Sequence, residues 1–393
     1  MRQRIICMLM AVAAMLPAMA DKIESGIHFF HGTWSEAVAK AEQENKKIFI
    51  DFFTEWCGPC LNMAQKVFPL PEVGAVYNAH FVCVKIDAEK GEGVELAKKY
   101  GVRSYPSYIF VDPATQQLIH RSGGNKPAAD FIADADGALD PKKSSLYLDA
   151  TYESGKYDAA FLIDYIRGKK VSGSRDVLQP FGQLIGMGAK LTDPAVWKLF
   201  CECVQGYDNP YIKEISDQYD TFVKLFGKKQ VDEKLESATA YAPLPFIEGL
   251  HDFSGKHYNI EAARMSLLFR DKKYDEAWAQ VDKMIADPKI DQKKFVRLLS
   301  FYTRVSSYSD DALTFEQVAK KVSYTRYVAY NMYDRDDAYT HFSYASALEY
   351  LIRRSLKEGK AIPASLVATP EHGKKEYDMR DPQLKPKPSY KRK

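Results

Sequence analysis

Lys47-Ile48-Phe49-Ile50-Asp51-Phe52-Phe53-Thr54-Glu55-Trp56-Cys57-Gly58-Pro59-Cys60 is the stretch that decides how this chain folds. Its first seven residues form a short, nearly unbroken apolar run rich in β-formers, the mark of a buried strand. A single carboxylate, Asp51, interrupts that run. The second half predicts a helix from Cys57 to about Val67, with Pro59 in the first turn, where backbone N–H groups have no intrahelical partner to lose. Two cysteines separated by two residues at a helix start can close a small disulfide ring. The first thiol lies at the positive end of the helix, where free N–H groups stabilise a thiolate. The second points back under the turn and can attack a mixed disulfide formed by the first. The spacing alone leaves an inert or metal-binding pair open.

Outward from this stretch the sequence alternates between strand and helix. Thr33-Trp34-Ser35-Glu36 reads as a capping box opening a helix through about Glu44. Phe81–Ile86 predicts a second buried strand, Val94–Tyr100 a helix closed by Gly101, and Ser107–Val111 a third strand. Asp112-Pro113-Ala114-Thr115 turns the chain so that Gln117–Arg121 pairs back as a hairpin, and a last helix runs from about Pro127 to Ala138. Such alternation implies a layered α/β domain.

With these elements placed, residues 51–60 closely resemble the active-site segment of thioredoxins. Residues 27–140 resemble the soluble catalytic domain of bacterial thiol:disulfide interchange proteins, through Trp34, Ala37, Ala41, Lys46, Lys47, Met63, Val67-Phe68, Phe81-Val82 and Asp87. The resemblance implies a thioredoxin-like α/β fold. It makes Cys57 the attacking thiol and Cys60 the resolving thiol, with Asp51 the buried carboxylate that moves the proton of Cys60. Desolvation raises a carboxyl pKa and suits it to that work. Trp56, Gly58 and Pro59 become substrate-facing residues, as do Tyr105 and Pro106, whose peptide bond the resemblance makes cis, and Gly123, which leaves room for substrate. No cofactor beyond a redox-active Cys57–Cys60 disulfide is implied. In two places the chain departs from the family. Cys83 stands near the position where the family often has a lysine beside the carboxylate, with Lys85 two residues on and on the same face. Tyr105 is bulkier than the aliphatic residue that usually precedes the cis proline.

The ends and the remainder read differently. Met1–Arg4 is basic, Ile5 to about Pro17 is apolar, and Ala18-Met19-Ala20 ends the run, the layout of a secretory signal (1–20) cleaved after Ala20. An apolar run of about 13 residues is short for a span, which takes about 20. The expected compartment is periplasmic or secreted, and oxidising. Lys+Arg total 55 and Asp+Glu 52, a balance that argues against a nucleic-acid partner. After the thioredoxin-like domain (21–140), residues 141–370 predict an all-α region of helical hairpins. Gly155–Ala160 and Lys272–Ala277 echo each other there like the inter-helix turn of tetratricopeptide-type (TPR-like) repeats, with the tyrosine and second alanine packed inside each hairpin. Residues 371–393 predict a disordered basic tail. Cys83 reads as a core thiol. Cys201 and Cys203 lie about 200° apart on a helix and cannot pair without breaking it; their rival reading is a second redox pair. The tyrosines of 258–350, among them Tyr302, Tyr308, Tyr324, Tyr327 and Tyr330, read as inter-helix packing.

The expected function is therefore a thiol–disulfide oxidoreductase that reduces or isomerises disulfides in exported proteins. The Gly-Pro dipeptide resembles reducing members of the family, whose potentials lie near about −270 mV, against about −120 mV for a strong oxidant. A membrane electron donor is the implied partner. The alternative is a client-binding or chaperone-like module in which the helical region acts and the thioredoxin-like domain docks.

Overall fold

The computed structural model of the chain describes residues 26–367, apart from 175, 305–309, 311 and 332–337. The expected leader, the basic tail and Tyr308 lie outside the described residues. Five strands form one mixed sheet: β1 (Phe29–Phe30), β2 (Lys47–Phe53), β3 (Phe81–Asp87), β4 (Ser107–Val111) and β5 (Leu118–Gly123), in the order β1-β3-β2-β4-β5. β1 and β2 run parallel to β3, whereas β4 is antiparallel to both β2 and β5. β2 is the central strand. Asp51, near its end, lies in register with Lys85 on β3 and Tyr108 on β4.

Because side chains alternate across a strand, β2 feeds two cores. Ile48, Ile50 and Phe52 join Val82, Val84, Ile109 and Val111 under α1 (Trp34–Glu44) and α4 (Gly93–Lys99). Phe49, Phe81, Cys83, Tyr108 and Phe110 face α2 (Gly58–Lys66), α3 (Pro71–His80) and α5 (Ala128–Leu139). The second core is aromatic: Tyr77 and Phe131 stack at 4.5 Å between ring centroids, and Phe49 meets Tyr77 edge-on at 4.8 Å. Each such buried ring contributes about 1.5–3 kcal/mol.

The local signals behave as read. Thr33 accepts from the Glu36 N–H, and Glu36 Oε2 accepts from the Thr33 N–H at 2.8 Å, the reciprocal capping box. Gly101, at φ 65°, follows α4 in the left-handed conformation open to glycine. β5 extends two residues further than expected, to Gly123, which carries it alongside the turn after Pro106. α3 and the two-residue β1 carried no clear sequence signal.

Beyond β5 and α5 the described chain is helical, as expected. It divides into two compact units, the first ending at Lys234 and the second beginning at Leu235. In the first, α6 (Ser145–Glu153) packs on β5 and forms a hairpin with α7 (Ala159–Val171), through stacked Tyr152, Tyr157, Phe161 and Tyr165. α8 (Leu178–Gly186), α9 (Pro194–Cys203), α10 (Pro210–Asp217) and α11 (Tyr219–Phe226) follow, and α12 (Lys228–Thr239) contains the division point. The second unit holds α13 (Leu244–Glu248), a hairpin of α14 (Lys256–Arg270) and α15 (Tyr274–Ala286), then α16 (Gln292–Tyr302), α17 (Phe315–Asn331), α18 (Ala338–Glu358) and α19 (Ala364–Val367).

The two echoing turns both contain a left-handed residue, Gly155 (φ 68°) and Lys272 (φ 58°). They differ in packing: Ala277 is fully buried, but Ala160 is exposed, against the expectation for the second alanine. Asp158 caps α7 with its side chain, so the first copy starts its helix two residues later than the alignment of Tyr157 with Tyr274 assumes. Tyr302, Tyr324 and Tyr327 pack in the inter-helix core as expected, whereas Tyr330 is 41% exposed.

Candidate active site

β2 ends at Phe53 and the chain turns directly into α2. Cys57 is the residue capping that helix: its Sγ accepts from the Cys60 N–H at 3.1 Å. Cys57 and Cys60 are joined as a disulfide with their Cα atoms 5.3 Å apart, within the ordinary span of such bonds. Both are buried, while Gly58 and Pro59 between them are exposed. A methyl group on Gly58 would meet no atom within 4 Å, so the open side of the ring lies over this dipeptide.

Asp51 shares the sheet face of Phe49, against which Met63 of α2 packs, so the carboxylate sits in the layer beneath the cysteine helix. It is fully buried, and neither carboxylate oxygen has a hydrogen-bond partner. Burial therefore pushes its pKa from 3.8 up to about 7, against the opposing pull of the Lys85 ammonium, 3.9 Å from Oδ2. Lys85 thus supplies the lysine beside the carboxylate, and Cys83 does not compete for that place. The Cys83 thiol points into the aromatic core, 3.9 Å from the Tyr77 carbonyl, and burial raises its pKa strongly.

The Tyr105–Pro106 peptide bond is cis, as the resemblance implied. Trp56, 70% exposed, is held from two sides. Its indole N–H donates to Glu89 Oε2 at 3.0 Å, and its ring meets Tyr105 edge-on at 5.9 Å. Beside it, Glu55 pairs with Lys90. Gly123 lies against the far side of the cis-proline turn. A Cβ there would stand 2.8 Å from the Pro106 carbonyl oxygen, and the next N–H, of Gly124, donates to that oxygen at 2.9 Å. Glycine at 123 therefore admits a close backbone approach. The Gly123 N–H is occupied by the Ser172 carbonyl at 3.2 Å. The structure thus gathers Asp51, Trp56, Cys57, Gly58, Pro59, Cys60, Tyr105, Pro106 and Gly123 around the end of β2.

One group escaped the sequence reading. Lys126, 8% exposed, donates to Asp134 Oδ2 (2.7 Å) and to the Val171 carbonyl (2.5 Å), and Ser122 donates to the same carboxylate oxygen at 2.6 Å. His120 Nδ1 accepts from the Ser145 N–H, and its Nε2 is 3.7 Å from Asp134 Oδ1. The 122–126 turn is tied by these bonds to the end of α7. It also touches the cysteine helix, through Lys126 N–H to Met63 Sδ (3.4 Å) and Asn62 to Asn125 (2.7 Å). Lys126 and Asp134 are eight residues apart on different elements, so no local spacing announces them.

Cys201 and Cys203 are free thiols on α9, and burial pushes each up to about 11. Among the described residues, no cluster of three or more His, Cys, Asp or Glu side chains is arranged to hold a metal, and no helix is long and apolar enough to cross a membrane.

Residues 30–113 match the family model described as thioredoxin-like. A solved Bacteroides thetaiotaomicron protein, assigned as a candidate disulphide-isomerase, is 40% identical; the match covers 30% of this chain and 95% of that one, with a TM-score of 0.28. Thioredoxin-1 of Drosophila yakuba is 40% identical over 68 residues, which are 17% of this chain and 59% of the fly protein. The protein disulfide-isomerase erp38 of Neurospora crassa is 27% identical over 138 residues, 35% of this chain and 36% of its own. The chain thus spans about six-tenths or less of these curated relatives. Residues 30–113 of the chain thus form a thioredoxin-like domain. That domain, with its CxxC pair, is of the thiol–disulfide oxidoreductase type.

Proposed function

We propose that the protein is an exported thiol–disulfide oxidoreductase that reduces or isomerises disulfides in other exported proteins. The observation that carries this reading is the Cys57–Cys60 pair at the start of α2, over a buried Asp51 that makes no hydrogen bond. In the dithiol form, Cys57 thiolate attacks a client disulfide and forms a mixed disulfide, releasing one client sulfur as a thiol. Cys60 then loses its proton, attacks Cys57 Sγ, and leaves the Cys57–Cys60 disulfide and the second client thiol. Two electrons and two protons pass to the client. The Cys60 N–H, which already points at Cys57 Sγ, stabilises the first thiolate. Asp51, with a pKa near neutrality, takes the proton of Cys60. Trp56, Gly58, Pro59, Tyr105, Pro106 and Gly123 form the surface against which the client chain lies.

The leader at 1–20 supports export to the periplasm or beyond, and a membrane donor would return the electrons. Residues 21–140 act as the redox domain. The helical hairpins, read as irregular tetratricopeptide-type repeats, recruit clients. The test uses the full mature chain and a disulfide-bonded protein such as insulin. Cys60→Ser should trap a mixed disulfide visible on a non-reducing gel, whereas Cys57→Ser should trap none. Equal reduction by the Cys57→Ser/Cys60→Ser double variant would sink the reading and leave the helical binding module in front.

A further inference from the structure

A cleft of about 1100 Å³ opens beside the cis-proline turn of the redox site. At one end it is lined by Ser104, Ser107, Gly123 and Gly124, which flank Pro106. From there it runs along β5 to α6 and α7, so its far wall is helical and its floor includes His120 and Ser122 of the buried cluster. A client whose disulfide reaches Cys57 beside Pro106 must lead its chain away from that point, and this cleft begins where the chain would leave.

Its charge is biased. Arg103, Lys142, Lys143 and Arg167 line it with exposed side chains, and none of them is ion-paired with a carboxylate of the described residues. Arg121 joins them, its guanidinium steadied by the Tyr100 carbonyl at 3.0 Å. On the other side, Asp149 is already neutralised by Lys169 at 2.6 Å, leaving Asp136, Asp140 and Asp164 as opposing charges. Both outward N–H groups of β5 at this edge are engaged, Arg121 with Ser145 Oγ and Gly123 with the Ser172 carbonyl. An occupant cannot add a strand there, so side-chain charge has to supply the recognition. We infer that the cleft is a client exosite that takes the extended, acidic segment beside the attacked cysteine. The inference rests on the redox reading above and names its substrate class.

The test is a single-turnover reaction. The mature protein is reduced with dithiothreitol, freed of it, and mixed with three synthetic peptides that share one disulfide loop and end in four Glu, four Ser or four Lys. The electrons come from the Cys57/Cys60 dithiol alone. At low ionic strength the Glu-tailed peptide should react about tenfold faster than the Lys-tailed one, with the Ser-tailed peptide between them, and the spread should collapse at high salt. In the Lys143→Glu/Arg167→Glu variant the Glu-to-Lys ratio should fall to about one or invert. Taking a ratio within one variant cancels any change in its folded fraction. Reduction of all three peptides at rates within twofold would overturn the exosite while leaving the oxidoreductase intact. Failure to reduce any of them would overturn the redox reading and the exosite with it.

Discussion

Replacing Asp51 with Asn should change how the stability of the redox domain depends on pH. In the native state this carboxyl is buried without a hydrogen-bond partner, and burial lifts its pKa from the ordinary 3.8 to about 7. Between about pH 4 and pH 7 the native state therefore keeps a proton that the unfolded chain has released, and stability falls as pH rises through that window. The shift is about three units. At 1.36 kcal/mol per unit, the ionised carboxylate costs the fold up to about 4 kcal/mol once the pH is above 7. Asn cannot ionise, and it places a neutral group of similar size where the neutral acid sat. Variant and wild type should then agree within about 1 kcal/mol near pH 4.5 and diverge to about 4 kcal/mol near pH 8.5, the variant being more stable. Hydrogen exchange of the β2 and β4 backbone in the oxidised protein, corrected for the intrinsic effect of pH, reads this directly. Protection in the variant should exceed wild type by about a thousandfold at the higher pH and by only severalfold at the lower. A protection ratio that is the same at both pH values would refute the reasoning, because it would mean that Asp51 is already ionised in the native state.

Lys85→Met removes the cation that opposes that burial, so the pH midpoint assigned to Asp51 should move up by about one unit, measured from the same exchange series. Lys126→Met strands Asp134 as a buried charge and should cost about 3–5 kcal/mol in thermal or urea unfolding, whereas Lys126→Met with Asp134→Leu should recover most of the loss. Cys203→Ser should leave client turnover within about twofold of wild type, because a thiol pushed up to about 11 is almost never a thiolate at pH 7; a large loss would revive the second redox pair.

Much of the redox domain was legible because its signals are local. A capping box, an apolar run of strand length and a Gly after a helix each constrain a few residues, and the backbone follows them at Thr33, Lys47–Phe53 and Gly101. The CxxC pair was legible from its place between an apolar strand and a helix start, and the role of Asp51 through the resemblance of residues 51–60 to the thioredoxin active-site segment. α3 was not, since its start at Leu70-Pro71 has no side-chain cap and its residues make no clear amphipathic stripe. The Lys126–Asp134–His120 cluster depends on tertiary meeting points among a turn, α5 and β5, with the end of α7 closing it, and such meetings leave no periodic trace. The repeat echo misled at Ala160 because a shared dipeptide does not fix where a helix begins. Asp158 takes the capping place in one copy, while Asp275 lies inside the helix of the other.

The most direct test is to equilibrate the mature protein against graded thiol–disulfide buffers and follow the Cys57–Cys60 pair by Trp56 fluorescence or thiol labelling. The account expects a reversible two-electron transition at about −230 mV or lower, the range of a dithiol that reduces its clients. A pair that stays oxidised in strong dithiothreitol, or that poises near about −120 mV, would contradict it.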